Sequence, residues 1–435
     1  MKLKYGLDDI PPIGELLLFG IQWLAIAVPT VIIIGKVVAP LHFTNALDQV
    51  VYLQRLFFVT ASALLVQLLW GHRLPLIIGP AAVLLVGIVA SQGTDINAVY
   101  SSIFIGGIIL TLTSITGLFG YLRVLFTSRV VATILVLISF TLTPTIMNLI
   151  ISSKAEGTPL LNLCFALVLV ILMFIAGRYL TGIWKSTLII WAIIVGSILY
   201  LVIFPQYQWV EQASDFAAIA TFTKGLNFNL TIEPGVLISF LFCFLALSIN
   251  DLGSIQSVGE LTKPNDMHKR ISRGISFTGL ANALSGIFGV IGPVNFSMSP
   301  GVIASTGNAS RFTLIPAGIA ILILSFMPKL IAFIGGIPSV IIGTTLLYVL
   351  CSQISAGLMV LYNSAREFKF ESGLVMGLPI MLSIIISFLP GNVLNTFPDL
   401  VRPISGNGFV IGVFTVLIME HIIYKEKAPA GKQGS

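Results

Sequence analysis

The sequence predicts an all-α polytopic membrane protein with about fourteen transmembrane segments in two inverted seven-segment repeats. Three observations support this prediction: the composition, the distribution of positive charge, and a short string that recurs once. Of 435 residues, 56% are hydrophobic and only 9% are charged, and the mean hydropathy is +1.02. A soluble domain carries about 25% charged residues. The composition therefore excludes a soluble enzyme, a disordered chain and a nucleic-acid binder.

Apolar runs divide the chain into candidate spans, because a bilayer core of about 30 Å needs about 20 apolar residues per helix. The approximate spans are 14–36, 54–71, 74–90, 98–120, 130–152, 160–180, 185–204, 234–257, 272–291, 293–308, 312–328, 336–361, 371–389 and 405–424. Proline and glycine interrupt the third and tenth of these runs, which are therefore poor continuous helices. We expect no cleavable signal peptide, since the first run lacks a small-residue cleavage site.

The orientation follows from lysine and arginine, which favour the cytoplasmic side of a membrane. With the N-terminus in the cytoplasm, 17 of the 23 basic residues fall inside and 6 fall outside. This bias supports the orientation and an even number of spans in the cell membrane. The predicted organisation is a cytoplasmic N-terminus (1–13), a first repeat (14–204), an extracellular loop (205–233), a second repeat (234–424) and a cytoplasmic tail (425–435).

The string Ile-Gly-Pro occurs at 78–80 and again at 291–293, within the two interrupted runs. The same offset carries the first span onto the eighth. Seven spans followed by seven form a duplicated odd unit, so the two copies have opposite orientations. Inverted repeats with paired broken helices indicate a transporter site at the bilayer midplane. Broken backbone survives in hydrocarbon only when it is buried or lines a polar cavity, so we expect a cavity between the breaks.

Asp251 is the one acidic residue well inside an apolar run, and an intramembrane acid marks a functional site by default. Asn250, Gly253, Ser254 and Ser257 share a helical face, from which Asp251 is rotated by about 100°. We treat Asn250 and Ser254 as substrate-binding candidates and Asp251 as the proton-coupling candidate. The alternative is that Asp251 lies near the cytoplasmic end, where it is hydrated or paired with a basic residue.

The second break supplies further candidates. Asn295 is its amide, and an amide donates and accepts hydrogen bonds in one plane, as a flat heterocycle requires. Phe296 is adjacent, although packing is an alternative role for this ring, and Gln22 lies in the first span. Pro300 suits the first position of a half-helix. Free N–H groups near residues 300–302 would then point at a ligand.

Other site chemistries find no support in the sequence. We expect no histidine at depth, with His72 and Arg73 forming a cytoplasmic turn that is only topological. The three cysteines have no metal spacing, and no GxxxxGK[ST] loop or cofactor fingerprint occurs. We expect no metal, no cofactor and no ATP-driven transport by this chain alone. A membrane-embedded enzyme would need clustered acids or histidines at depth, so we expect no enzymatic activity.

Two strings carry a family resemblance. The N-terminus reads YGLDDIPP from Tyr5 to Pro12, and the string that follows keeps Gln22 but has Trp23 where a GLQH-like string has histidine. The second string, GVIASTGNASR, starts at Gly301 and is similar to GVIxxTGVASR. Together they resemble the nucleobase–ascorbate transporter family, the xanthine and uracil permeases. The resemblance runs from residue 5 to about residue 424.

The resemblance implies core and gate domains, a homodimer, and third and tenth segments that are each a short strand plus a half-helix. Substrate would lie between these segments and the eighth helix. The family's eighth-helix glutamate aligns with Asn250, and its tenth-segment pair aligns with Met298 and Ser299. The aromatic residue of the third segment falls near Ala82. Both acidic anchors are absent, so the sequence is identified as a divergent branch similar to purine permeases.

We therefore expect a secondary active transporter for a nucleobase-like substrate, such as xanthine, urate or uracil, working by alternating access with proton symport. Groups at Pro80, Ala81, Ala82 and Gly301 would bind the ring edges. Two alternatives stay open on the same fold. One is a bicarbonate- or sulfate-type anion transporter, which two facing half-helix N-termini suit. The other is an uncoupled facilitator.

Overall fold

The computed structural model describes residues 3–118, 125–151, 159–205, 216–223, 226, 229–296, 298–364, 370–394, 396–398 and 402–424. The predicted tail, 425–435, and parts of the predicted loop 205–233 lie outside these ranges. In the N-terminal half the helices are α1 (Ile13–His42), α2 (Ala46–Leu69), α3 (Ala82–Ala90), α4 (Ile96–Ile115), α5 (Ser128–Thr141), α6 (Thr143–Ile151), α7 (Pro159–Tyr179), α8 (Gly182–Ser186) and α9 (Leu188–Ile203).

In the C-terminal half the helices are α10 (Pro234–Thr262), α11 (Met267–Phe288), α12 (Ser299–Thr306), α13 (Ile315–Leu324), α14 (Pro328–Gly335), α15 (Ser339–Ser364), α16 (Phe370–Ser387), α17 (Gly391–Leu394), α18 (Arg402–Ser405) and α19 (Gly408–Ile418). A 3-10 turn precedes α13 at Arg311–Leu314, and a π-helical turn follows α19 at Met419–Ile423. The two strands are β1 (Ile78–Pro80) and β2 (Pro293–Asn295).

Within these described residues, 8 helices are long and apolar enough to cross a membrane, or up to 9 if a bent pair counts as one span. The outer face of α7 is an exposed apolar surface, on which Leu160, Val168 and Ile171 are each more than half exposed. A large apolar surface of this kind marks contact with a membrane or a partner. The predicted helical membrane fold is confirmed, and the number fourteen stays a prediction.

Two boundaries differ from the predicted ones. α2 begins at Ala46 rather than near 54, because its polar first turns hid it from hydropathy, and Asn45 caps it by accepting a hydrogen bond from Leu47 N at 3.1 Å. The second difference is α14, which shares only Pro328 with the span predicted at 312–328 and occupies the interval before the next predicted span. It meets the preceding helix at 95°. Pro328 begins α14, and proline disrupts an incoming helix.

The two interrupted runs meet in an antiparallel pair, in which Gly79 of β1 lies opposite Val294 of β2. Each strand leads into a short helix, α3 after β1 and α12 after β2. Because equivalent strands run in opposite directions, the two halves of the chain are inverted relative to each other, which confirms the predicted inverted repeat. Glycine is required in β1, since a Cβ at Gly79 would lie 2.5 Å from the Phe296 ring.

The N-terminal segment lies along the loop that follows α12. Three backbone hydrogen bonds join residues 4–7 to residues 307–311. Arg311 also pairs with Asp8 at 2.7 Å, and Ser310 Oγ donates to Asp9 O at 2.5 Å. The two strings that carried the family resemblance are therefore the two sides of one contact.

Helices α4 and α11 approach each other closely because glycine lines their contact. A Cβ at Gly107 would lie 2.5 Å from Ala283 N, and one at Gly279 would lie 2.7 Å from Gly107 O. Small residues permit such approach between membrane helices. The contact holds α11 beside α2 and α10, where it contributes to the site described below.

Gly107→Ala is expected to destabilise the detergent-solubilised protein by about 1–3 kcal/mol, because the new methyl group meets backbone that cannot move aside cheaply. Gly377→Ala in α16 is the matched control, since no atom lies within 4 Å of its Cβ position. Thermal unfolding followed by tryptophan fluorescence compares the two variants. Equal melting temperatures would contradict the role given to Gly107.

Candidate functional site

A closed ring of buried polar side chains, here called the polar ring, lies beside β2. Its members come from α2, the turn after it, α10, α11 and β2, and each is at most 3% exposed: Gln67, His72, Asp251, Thr278 and Asn295. Gln67 Nε2 donates to Thr278 Oγ1 (3.0 Å), which donates to Asp251 Oδ2 (2.8 Å). Asn295 Nδ2 donates to Asp251 Oδ1 (2.6 Å), and His72 Nε2 lies 3.0 Å from Asn295 Oδ1. The main-chain N–H of His72 donates to Gln67 Oε1 (3.2 Å) and so closes the polar ring.

The hydrogen bonds determine the state of the imidazole. His72 Nδ1 accepts from Leu74 N at 2.9 Å, so the ring proton is on Nε2 and is donated to Asn295 Oδ1. A doubly protonated imidazole would set two N–H groups against each other at Leu74. Asp251 receives three donors, from Thr278 Oγ1 and from the side chain and backbone N–H of Asn295. Asn295 therefore lies between a neutral histidine and the Asp251 carboxyl group.

The opposite side of α10 borders open space. Asn250 and Ser257 are partly buried, whereas Gly253 is exposed and has no atom within 4 Å of its Cβ position. Gly301, in the first turn of α12, is exposed and open in the same way. Ser254 Oγ donates to the main-chain oxygen of the last residue of β2 at 2.9 Å. The strand that leads into α12 is thus bonded to the helix that carries Asn250.

The expectation of free N–H groups at the start of α12 is wrong for residues 301 and 302. Gly301 N and Val302 N both donate to Met298 O, and Ser299 N donates to Phe296 O. Tight turns of this type satisfy the donors that a helix otherwise leaves unpaired at its N-terminus.

α3 behaves differently at its N-terminus. Leu84 N and Leu85 N both donate to Ala81 O, whereas the N–H groups of Ala82 and Val83 have no acceptor among the described residues. Of the two half-helices, α3 is therefore the one that offers backbone donors at its start.

The remaining predicted site residues occupy mixed environments. Pro80, Ala81 and Ser299 are buried, and Ala82, Phe296 and Met298 are partly buried. The amide of Asn295 is fully buried in the polar ring rather than turned to the open space. In the described part of the chain no group of three or more His, Cys, Asp or Glu side chains could hold a metal ion.

Gln22 is 4% exposed, and its Nε2 finds no hydrogen-bond partner in the described residues. Leaving such a donor unsatisfied costs about 1–3 kcal/mol, so Gln22 is suited to a ligand acceptor. Its neighbour Trp23 is buried and donates from Nε1 to Thr313 Oγ1 at 3.2 Å, which makes it a packing residue with a satisfied polar end.

The expectation that His72 is only topological is wrong. The chain after α2 turns back into the protein, where Arg270 Nη1 holds the turn by donating to the main-chain oxygens of His72 and Arg73, both at 3.0 Å. The available signal was a polar pair, Gln67 and His72, next to an apolar break. Their partners on α11 and β2 are 211 and 223 residues away along the chain, which is why His72 was predicted to be a turn residue.

Comparison with known proteins agrees with this architecture. The sequence matches the Permease family of xanthine and uracil permeases over residues 14–392. The chain belongs to this family. The permease is 26% identical to the xanthine permease of Bacillus subtilis, over 92% of this chain and 92% of that protein. It is 24% identical to a uric acid permease of the same bacterium, over 88% of each. The chain is therefore a membrane transporter and not an enzyme.

The fold of the permease also has a solved counterpart. The transmembrane domain of a cyanobacterial bicarbonate transporter superposes with a TM-score of 0.61 at 17% identity, covering 87% of the permease and 98% of that domain. At this identity the likeness concerns the fold alone. It confirms the core-and-gate transporter architecture that the family resemblance implied.

The open space beside α10 and α12 can be tested without transport. Gly253→Cys and Gly301→Cys, in a background lacking the three native cysteines, are expected to react with a charged thiosulfonate reagent, because both positions are exposed and have no neighbouring atom within 4 Å of the Cβ position. Ala81→Cys is the matched buried control. Labelling is measured by mass spectrometry of the permease in proteoliposomes. Equal rates at all three positions would contradict the placement of the cavity.

Proposed function

We propose that this permease is a secondary active transporter of a nucleobase-like heterocycle, such as xanthine, urate or uracil, which works by alternating access. The family match over residues 14–392 carries the proposal, and relatives that are xanthine and uric acid permeases support it. The groups bordering the open space are uncharged: Asn250, Gly253, Ser257 and Gly301. In this proposal the Asn250 amide binds donor and acceptor groups on the edge of the ring.

The proposal includes the predicted topology. The N-terminus (1–13) and the tail (425–435) are cytoplasmic, and the repeats 14–204 and 234–424 are joined by an extracellular loop at 205–233. The excess of basic residues on the inner side supports this orientation in the cell membrane. Two copies form a homodimer, as the family resemblance implies.

Asn250→Ala is expected to raise the KM for xanthine uptake by proteoliposomes about tenfold, since it removes hydrogen bonds to the substrate. Gln256→Ala is the matched control, because Gln256 is on the same helix but rotated by about 120°. Both variants should melt at the parent temperature. An unchanged KM for Asn250→Ala would remove Asn250 from the site.

An anion is the second candidate substrate. The N–H groups of Ala82 and Val83, which have no acceptor in the described part of the chain, favour a negative ligand at the start of α3, and a bicarbonate transporter shares the fold. Uptake of labelled xanthine, urate, uracil and bicarbonate by one preparation separates the candidates. Bicarbonate uptake without uptake of any base would replace the first proposal.

Asp251 is the proposed proton-coupling residue. Its carboxylate contacts Thr278 and Asn295 and is 0% exposed, so it faces neither the open space nor cytoplasmic water. A proton on Asp251 would therefore act through its partners in the polar ring and through β2. Direct contact between Asp251 and the substrate is not required.

Uptake is expected to rise as the external pH falls, because external protons drive symport. Asp251→Asn should remove this dependence while exchange of bound substrate continues, since an amide does not titrate in this range. Glu260→Gln is the control, being exposed on the same helix, and should keep the parent profile. If Asp251→Asn retains the pH dependence, coupling resides elsewhere. A parent with no pH dependence is an uncoupled facilitator.

A further inference from the structure

The polar ring contains two residues that the proposed transport cycle leaves without a role, Gln67 and His72. Each is at most 1% exposed, so neither borders the open space. His72 nevertheless uses both ring nitrogens, Nδ1 toward Leu74 N and Nε2 toward Asn295 Oδ1. Its main-chain oxygen is also held by Arg270. A buried side chain fixed at three points is well placed to orient its neighbours.

The neighbour that needs orienting is Asn295. Its amide has two orientations of nearly the same shape, and the hydrogen bonds choose between them. In the observed orientation Nδ2 faces Asp251 Oδ1 at 2.6 Å and Oδ1 faces His72 Nε2 at 3.0 Å. In the reverse orientation the amide oxygen would face a carboxylate and the amide nitrogen would face an N–H, so both contacts would be repulsive.

The main-chain N–H of Leu74 prevents reversal of the Asn295 amide. For His72 to accept from a reversed Asn295 amide, its proton would have to move to Nδ1, where it would meet the Leu74 N–H at 2.9 Å. Hydrogen-bond polarity therefore runs in one direction, from Leu74 through His72 and Asn295 to Asp251.

Asn295 also sets the position of β2. This strand begins with Pro293, which has no N–H to donate and lies opposite Pro80. In addition to its pairing with β1, the strand is held by two groups outside the pair: Asp251 Oδ1 accepts from Asn295 N at 3.0 Å, and Asn282 Nδ2 donates to Pro293 O at 2.9 Å. An altered Asn295 amide would loosen the strand that starts α12.

We propose that His72 is a positioning residue for transport. Through its Nε2–H it fixes the orientation of the Asn295 amide, so that Asn295 Nδ2 keeps donating to Asp251 and β2 stays in place ahead of α12. The role rests on the proposed function, because Asp251 is the coupling residue there. A proton on Asp251 Oδ1 would repel the Asn295 Nδ2–H. Since His72 keeps the amide from reversing, this repulsion would displace Asn295 and with it the end of β2.

Two substitutions separate this role from a purely structural one. The amide nitrogen of His72→Gln can take the place of Nε2 and keep the donor to Asn295, whereas the amide oxygen of His72→Asn can take the place of Nδ1 and keep only the acceptor for Leu74. Xanthine uptake by His72→Gln should stay within about threefold of the parent and keep its pH profile. His72→Asn should lose about tenfold in kcat/KM, because it leaves Asn295 Oδ1 unpaired. Equal losses in both variants, or a larger loss in His72→Gln, would overturn the proposal.

A second measurement does not require transport. The chain has 4 histidines, and His42 and His421 also have hydrogen-bonded ring nitrogens. In 15N NMR of histidine-labelled permease in nanodiscs, the signal that disappears in His72→Gln should be that of a neutral imidazole protonated at Nε2. An Nδ1–H or doubly protonated His72 would overturn the proposal whatever the uptake data show. If this signal is present but the parent takes up none of the tested solutes, the proposed function fails and the hydrogen-bond assignment stands, so the two failures are distinguishable.

Discussion

Non-helical backbone in the middle of a membrane must find its hydrogen bonds inside the protein, and the rest of this structure depends on how that requirement is met. β1 and β2 pair with each other, and Ala81 N and Phe296 N donate to Gly292 O and Ile77 O at the two ends of the pair. Side chains bond other main-chain donors near the breaks, such as Ser299 Oγ for Ile77 N and the Tyr52 hydroxyl for Ile291 N. Several polar residues in the apolar runs are thus partners of broken backbone.

This arrangement gives α10 two different polar faces. Asp251 turns toward the polar ring and Asn250 toward the open space, although the two are adjacent in the chain. The proposed substrate contact and a buried carboxylate therefore lie on one helix without touching. Ser254, which is bonded to Asn295 O, links both faces to β2. Any change at the carboxylate can reach the substrate side through this helix and strand.

The half-helix α12 is anchored at both ends. At its start, Asn295 and Ser299 are bonded to α10 and to the backbone before β1. At its end, Gly307 adopts a left-handed conformation (φ 68°) and its oxygen accepts from Lys4 N. The N-terminal segment thus holds the far end of the helix whose first turn carries the exposed Gly301. This contact gives a physical reason for the two family strings to occur together.

The helical spans, the two breaks and the inverted repeat were predictable because each depends on local properties: the length of apolar runs, proline and glycine, and the bias of charge. Asp251 and Asn295 stood out for the same reason, as polar groups in apolar surroundings. Only the tertiary structure decided where these groups point and what they bind. His72 read as a loop residue because Asn295 is 223 residues away, and the donors of α12 looked free because the turn through Met298 O was not visible. Burial and hydrogen-bond direction arise from packing between segments distant in the chain, so no local pattern encodes them.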